Sequence, residues 1–370
     1  MKRVRASVVA LACAGLVAVS LTACGSDDPT GQGTGGESTS LRGTLNGGGA
    51  SSQGAAQEAW IAGFQSANQG VTVNYTKSDS GAGRKGLLDG SLKYAGTDSA
   101  LSLEEIAGST SICQGGQAFN VPVYISPIAV AFNIPGVDSL DLSAETVAKI
   151  FDGTITTWGD AAITADNADV AAQLTGPISV MYRSDDSGTT RNFAEYLSKA
   201  APEVWTYDVS SSFPVSKDTF QGQNGTSAVV QGIQAGTGTI GYADASAIGS
   251  LGTVQILVGD EFVGPTAEAA ATTLDDSERS TEGRADNDVV FSINRTTTAP
   301  GAYPVILISY LAVCDTYATQ TEADLVKGFL EYVVSVEGQD QAASAAGSAP
   351  ISDALRAELR QAISGISAKG

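Results

Sequence analysis

Three stretches of this chain share one pattern: a short apolar or alternating run, a loop rich in serine and glycine, and then apolar residues at helical spacing. The short runs are residues 41–45, 71–75 and 178–182, and the loops that follow are residues 47–52, 78–83 and 183–190. Strands that alternate with helices are typical of α/β folds. Because 370 residues fit about two domains of ordinary size, the sequence predicts a two-domain α/β protein.

Each of these loops is predicted to enter a helix, which gives it the chemistry of an anion site. The first backbone N–H groups of a helix lack partners within the helix and carry partial positive charge. Glycine lets a ligand approach the backbone, and serine or threonine adds neutral hydroxyl donors. Arg183 leads the third loop, and its planar guanidinium suits two oxygens of a tetrahedral anion, with Asp185 placed to hold it.

A simpler interpretation of the same residues stays open at this point. Serine and glycine are ordinary helix-cap and turn residues, and Arg183 with Asp185 can form a surface ion pair of little energetic value. Asp98 alone can be a turn residue. The presence of three such loops in one chain favours the anion site.

Composition excludes several kinds of function. The chain has no histidine, which excludes a Ser-His-Asp triad, a Cys-His pair and every metal site that contains histidine. It has 40 Asp and Glu against 20 Lys and Arg, whereas binding to nucleic acid needs a basic surface. The carboxylates show no metal-site spacing. We therefore expect no cofactor, no metal and no nucleic acid partner.

Residues 1–23 are predicted to be a targeting segment. Three basic residues precede an apolar stretch that ends near residue 19, which is too short to span a membrane. Residues 21–24 (LTAC) resemble the lipobox of bacterial lipoproteins, which implies that Cys24 becomes the lipidated start of the mature chain; a plain signal peptide is the alternative. Residues 24–40 are rich in Gly, Ser, Thr and acid and predict a flexible tether. We expect an extracytoplasmic domain anchored to the cell membrane.

This targeting segment decides the expected fate of each of the four cysteines. Cys13 is removed with the signal and Cys24 carries lipid, which leaves Cys113 and Cys314 in an oxidising compartment. Our hypothesis is a disulfide between these two residues. The alternative is two free, buried thiols.

Two long apolar strands, at residues 121–133 and 305–313, lie far apart in the sequence. Such a pair suits two crossings between lobes, because the chain between them can form a second domain inserted into the first. The expected lobes are residues 41–125 with 304–370, and residues 126–303. Residues 262–290 are polar and acidic and are expected to form surface loops.

The order and spacing of these loops resemble the phosphate-binding proteins of bacterial ABC importers, the PstS family. The similarity covers about residues 41–366 and includes residues 95–98 (AGTD), 133–136 (NIPG) and 240–242 (IGY). Its most specific part is Arg-x-Asp-x-Ser-Gly-Thr at residues 183–189. The resemblance implies a two-lobed periplasmic-binding-protein fold of type II, with phosphate held in the cleft and passed to a membrane permease by a monomer.

The resemblance also implies the role of each site residue. Hydroxyl donors would be Ser51, Ser80, Ser187 and Thr189; backbone N–H donors would be Ser52, Gly188 and Thr189; Arg183 would supply its guanidinium, supported by Asp185, and Asp98 would be the acceptor. The chain departs from the family at Ser52, where Phe is common, and at Asp186, where Gly is common. These departures predict a wetter pocket and negative charge at its rim.

Asp98 gives a physical reason to expect phosphate. Phosphate near neutral pH keeps a proton that it can donate to a carboxylate, whereas sulfate is fully ionised and would face Asp98 with lone pairs only. The alternatives are a receptor for another tetrahedral oxyanion such as sulfate, a phosphate-ester hydrolase, and an adhesive surface lipoprotein. The missing histidine and metal-ligand cluster argue against the hydrolase, and the three loops argue against the adhesin.

Overall fold

The computed structural model describes residues 41–370. The predicted signal peptide, Cys24 and the tether lie outside the described residues. Within residues 41–370 we find no helix with the length and apolar character needed to cross a membrane.

Strands and helices alternate along most of the chain, which confirms the α/β class. The strands are β1 Arg42–Ala50, β2 Gly70–Ser78, β3 Tyr94–Thr97, β4 Ala118–Asn133, β5 Ser139–Leu142, β6 Ser179–Arg183, β7 Phe220–Gln223, β8 Thr239–Asp244, β9 Gly252–Val258, β10 Glu261–Val263, β11 Glu278–Arg279, β12 Phe291–Ser292, β13 Ile306–Cys314, β14 Thr316–Tyr317 and β15 Ser367–Ala368. The α-helices are α1 Gly54–Ala67, α2 Ser80–Leu88, α3 Leu103–Gly108, α4 Ala144–Phe151, α5 Ala161–Thr164, α6 Gly188–Ala200, α7 Thr226–Ala235, α8 Ala267–Asp275, α9 Gln320–Val333, α10 Val336–Ala346 and α11 Asp353–Ser364. Short 3-10 helices cover Ser51–Gln53, Ser109–Ser111 and Ala245–Ala247.

The main sheet is mixed, with strand order β2-β1-β3-β13-β4-β8-β6-β7. Strands β1, β2 and β3 are parallel, whereas β13 runs antiparallel to both β3 and β4. Strand β9 pairs with β4 and β10 on one side and with β5 on the other. Helices follow the parallel strands, so the starts of several helices lie at one edge of the sheet.

Strand β4 joins two groups of strands: the first is β2, β1, β3 and β13, and the second is β8, β6 and β7 together with β9, β5 and β10. Its residues 118–127 pair with β13, and its residues 128–133 pair with β8. Nearly the whole strand is buried, which explains its continuous apolar sequence. The change of partner near Ile128 lies close to the expected lobe boundary at residue 125, and the boundaries themselves stay a prediction.

Two local expectations are wrong. Gly47–Gly49 do not form a loop but continue β1, because they pair with β2 on one side and β3 on the other. A side chain at Gly47 would collide with the ring of Tyr94, so its glycine serves close packing within the sheet. Residues 262–290 are not simply surface loops, since α8 packs its Ala270 into the interior and Val289 is buried.

Cys113 and Cys314 form a disulfide in the structure, with Cα atoms 5.2 Å apart. Cys314 is the last residue of β13, and Cys113 follows the 3-10 helix Ser109–Ser111. The bond joins positions 201 residues apart. It therefore links the segment just before β4 to the end of β13, the strand that pairs with β4.

We expect replacement of both cysteines by alanine to lower the free energy of unfolding by about 3–5 kcal/mol, because a cross-link over so long a loop restricts the unfolded chain. Denaturant unfolding of the parent and of the double variant, with and without reductant, measures this. Reductant should shift the midpoint of the parent only. Equal midpoints for parent and variant would contradict the stabilising role.

Candidate functional site

Four helix starts, two after strands of the first group and two after strands of the second, lie in contact with one another. They are the 3-10 helix at Ser51, α2 at Ser80, α6 at Gly188 and α7 at Thr226. Hydrogen bonds join them in pairs: Gly188 N donates to Ser80 Oγ at 3.3 Å, and Thr226 N donates to Ser51 Oγ at 3.2 Å. The serine-rich helix starts identified in the sequence therefore belong to one site.

The carboxylate of Asp98 is at the centre of this site and is 3% exposed. Ser52 Oγ lies 2.8 and 2.7 Å from its two oxygens, and Ser309 Oγ donates to Oδ1 at 2.5 Å. Thr189 Oγ1, on the helix α6 that follows β6, donates to Oδ2 at 3.1 Å. The main-chain N–H of Asp98 donates to Ser80 Oγ at 3.1 Å. Both the side chain and the backbone of Asp98 are thus held by hydroxyl groups.

The two sides approach so closely that Gly188 has no room for a side chain. A Cβ atom there would lie 2.6 Å from both Asp98 Cβ and Ser80 Oγ, which is far inside van der Waals contact. A glycine at the first residue of α6 therefore lets the helix start reach Asp98. This close approach is a reason for the glycine in the Arg-x-Asp-x-Ser-Gly-Thr segment.

Arg183 is buried at the end of β6 and is held by Asp185. Its Nε donates to Asp185 Oδ1 at 2.6 Å and its Nη2 donates to Oδ2, and both side chains are less than 5% exposed. The remaining nitrogen, Nη1, lies 3.4 Å from Thr226 Oγ1. The pairing predicted from sequence is thus a buried bidentate one, and it fixes the plane of the guanidinium.

The protonation of the two carboxyl groups is set by different causes. Burial raises the pKa of Asp98 above its ordinary value, while hydrogen bonds from Ser309 and Ser52 and the charge of Arg183 oppose that rise. Burial also acts on Asp185, but hydrogen bonding and charge attraction from Arg183 outweigh it and lower the pKa of Asp185. Asp185 therefore keeps its charge beside Arg183 to lower pH than an ordinary aspartate does.

The site residues predicted from sequence do not all have the same role in the structure. Ser52, Ser80 and Thr189 contact Asp98 or its backbone directly. Ser187 Oγ instead accepts from Thr190 N at 3.1 Å and acts as the N-cap of α6. Ser51 bonds to Thr226 across the site.

Sequence analysis missed Ser309, Thr226, Asn192 and Gln53. Ser309 interrupts an otherwise apolar strand, and Thr226 follows a glycine that enters a helix, so both left a signal. Gln53 Nε2 donates to Ser309 Oγ at 2.6 Å and orients that hydroxyl toward Asp98. Asn192 Nδ2 donates to the carbonyl of Asp98 at 2.6 Å.

A cavity of about 570 Å³ adjoins the site and is lined in part by Asp98, Arg191 and Asn192. A larger one, about 680 Å³, lies elsewhere beside Arg279 and Glu358, which are paired with each other. Among residues 41–370 no group of three or more acidic or cysteine side chains is arranged to hold a metal ion. The contacts at Asp98 are those of hydroxyl donors around one carboxylate.

A family model and solved structures identify the class of protein to which this fold belongs. The PBP superfamily domain matches residues 34–337. A periplasmic phosphate-binding protein called PfluDING, solved with phosphate bound, has a TM-score of 0.73 and 23% identity, covering 86% of this chain and 93% of its own. A phosphate-binding protein from Stenotrophomonas maltophilia has a TM-score of 0.68 and 23% identity over the same shares. The expected two-lobed periplasmic-binding-protein fold is confirmed.

The family follows from sequence relatives. Phosphate-binding protein PstS 3 of Mycobacterium leprae is 33% identical over 360 residues, which covers 94% of this chain and 95% of that protein. PstS 2 of Mycobacterium tuberculosis is 34% identical over 363 residues, again 94% and 95%. This chain belongs to the PstS family of phosphate-binding proteins.

Proposed function

We propose that this protein captures inorganic phosphate at the Asp98 site, between its two lobes, and delivers it to an ABC permease. The observation that carries the proposal is the buried Asp98 carboxylate surrounded by hydroxyls and helix starts from both groups of strands. Family membership supports the same ligand, since the relatives are named phosphate-binding proteins.

The residues that we assign to phosphate are Ser51, Ser52, Ser80, Asp98, Arg183, Ser187, Gly188 and Thr189, with Asp185 as the support of Arg183. N–H groups at helix N-termini and hydroxyl groups can stabilise a dianion even where too few cationic side chains are present to neutralise it. Arg183 adds a charge-assisted pair of donors. The net charge of −20 does not oppose this, because distant surface charge is screened over about 8 Å at physiological salt.

Asp98 sets the selectivity. A phosphate O–H can donate to its carboxylate, whereas sulfate would leave that buried acceptor without a donor from the ligand. Sites that hydrogen-bond a substrate hydroxyl reject the analogue that lacks it by factors on the order of 10⁴–10⁵. We therefore assign the site to phosphate and not to sulfate.

The protein is a solute-binding component and not an enzyme, as its family membership indicates. We further propose that residues 1–23 are a lipoprotein signal peptide, that Cys24 is lipidated, and that residues 24–40 tether a monomer to the cell membrane. The proposed lobes are residues 41–125 with 304–370, and residues 126–303. They would close on phosphate by bending where β4 and the chain before β13 connect them.

Calorimetric titration of the unlipidated chain from Gly25, stripped of ligand, tests the proposal. We expect one phosphate to bind tightly and sulfate to give no heat under the same conditions. Comparable sulfate binding would keep the oxyanion site but contradict the role of Asp98. If neither anion bound, the proposed function would be wrong.

A further inference from the structure

Arg295 is a buried cation that the phosphate site described above does not use. It lies between β12 and β13, and its side chain is 1% exposed. Burying an arginine is costly unless all its donors are satisfied. Each N–H group of Arg295 is therefore expected to have an acceptor in the fold.

All five N–H groups of Arg295 have an acceptor. Nε lies 3.2 Å and Nη2 3.0 Å from Glu195 Oε2, and Nη2 also donates to Asn192 Oδ1 at 2.5 Å. Nη1 donates to the carbonyls of Pro304 at 3.1 Å and Ile306 at 2.7 Å. A guanidinium has no acceptor atom, so each of these partners must turn an oxygen toward it.

This requirement fixes the orientation of the Asn192 amide. Because Arg295 takes the oxygen, the NH₂ group of Asn192 points the other way, where it donates to the carbonyls of Asp98 at 2.6 Å and Gly188 at 2.9 Å. The reversed amide would place Oδ1 against the carbonyl oxygens of Asp98 and Gly188 and its NH₂ group against the guanidinium. Arg295 therefore reinforces the orientation in which Asn192 binds the Asp98 backbone.

The contact also spans the two groups of strands. Asn192 is on α6, which follows β6, whereas Asp98 follows β3. The carbonyls that Arg295 binds flank Val305, whose own carbonyl accepts from Ile128 N at 2.7 Å, where β4 changes partners. The chain of contacts thus runs from the connection between the groups of strands to Asp98.

We propose that Asn192 and Arg295 are positioning residues for phosphate: Arg295 orients Asn192, and Asn192 locks the Asp98 backbone when the lobes are closed. The proposal rests on the phosphate site proposed above. Because the Asn192 bond to Asp98 exists only when the two sides meet, it stabilises the closed form and slows the release of ligand. It has no part in the first encounter with phosphate.

The test measures the association and dissociation rates of radiolabelled phosphate for the unlipidated chain and its variants. We expect Asn192→Ala to raise the dissociation rate about tenfold, as for loss of one buried hydrogen bond, with an association rate within about twofold of the parent. Arg295→Lys should also raise the dissociation rate. Glu195→Gln is the matched control, because Glu195 contacts the same guanidinium but not Asp98, and it should leave both rates nearly unchanged.

A double variant separates positioning from general loss of structure. If Arg295 acts through Asn192, Arg295→Lys should add little to the dissociation rate when Asn192→Ala is already present. Fully additive effects, or an unchanged dissociation rate in Asn192→Ala, would overturn the proposal even though the parent binds phosphate. A parent chain that binds no phosphate would instead contradict the proposed function. Thermal unfolding of each ligand-free variant shows whether it folds. If Arg295→Lys does not fold, the dissociation rate of Asn192→Ala alone tests the proposal.

Discussion

Replacement of Arg183 by alanine is expected to weaken phosphate binding by about 2–5 kcal/mol, a factor of about 30 to 5,000 in Kd. The guanidinium is buried, held in plane by Asp185 and surrounded by helix starts, so the variant loses a desolvated charge that water replaces poorly. Titration with phosphate at fixed ionic strength measures the change.

The variant must be separated from a folding defect, because it leaves Asp185 buried without its cation. The double variant Arg183→Ala with Asp185→Asn removes that charge and should regain stability in denaturant unfolding while still binding phosphate weakly. Arg191→Ala is the matched control, since Arg191 is an exposed arginine on α6, the helix that follows β6. If the double variant bound phosphate like the parent, Arg183 would have only a structural role.

The second large effect is expected in selectivity. Asp98→Asn should reduce the ratio of phosphate to sulfate affinity by at least about 100-fold, because an amide offers one acceptor oxygen fewer and adds an N–H₂ donor that sulfate can use. Phosphate should lose affinity and sulfate should gain it. Competition titrations of both anions against the same variant give the ratio directly.

Asp186→Asn is the control for this experiment. It removes the same charge from an exposed carboxylate near the site, so both anions should bind slightly more tightly and their ratio should not change. The hydroxyls of Ser52 and Ser309 can still donate to the remaining amide oxygen of Asp98→Asn, so we expect it to fold. An unchanged ratio in Asp98→Asn would show that selectivity arises elsewhere.

Much of the fold was predictable from local pattern. The unit of β6, loop and α6 appears where the sequence predicts it, as do helix Ala144–Phe151 and the long buried strands β4 and β13. Periodicity and capping chemistry are local properties, so they can be recognised without the rest of the chain. The run Gly47–Gly49 is an exception, because glycine serves close packing, here of Gly47 against Tyr94, as readily as it serves a loop.

The candidate site was predictable only in part. Arg183, Asp185 and Thr189 lie within seven residues, so their association could be recognised as one motif. Ser309 contacts Asp98 from 211 residues away, and no local pattern connects them. Asn192 and Arg295, 103 residues apart, are likewise brought together by packing alone.

The sequence by itself determined the α/β class, the helix starts with their hydroxyl and backbone donors, and the exclusion of histidine chemistry, because each depends on residue type and spacing along the chain. Only the tertiary structure decided which polar groups share the Asp98 carboxylate, that Ser187 caps a helix, and that Arg295 orients Asn192. The physical reason is that a hydrogen-bond network is defined by distance in space, and the pairing of β4 with both β13 and β8 sets those distances.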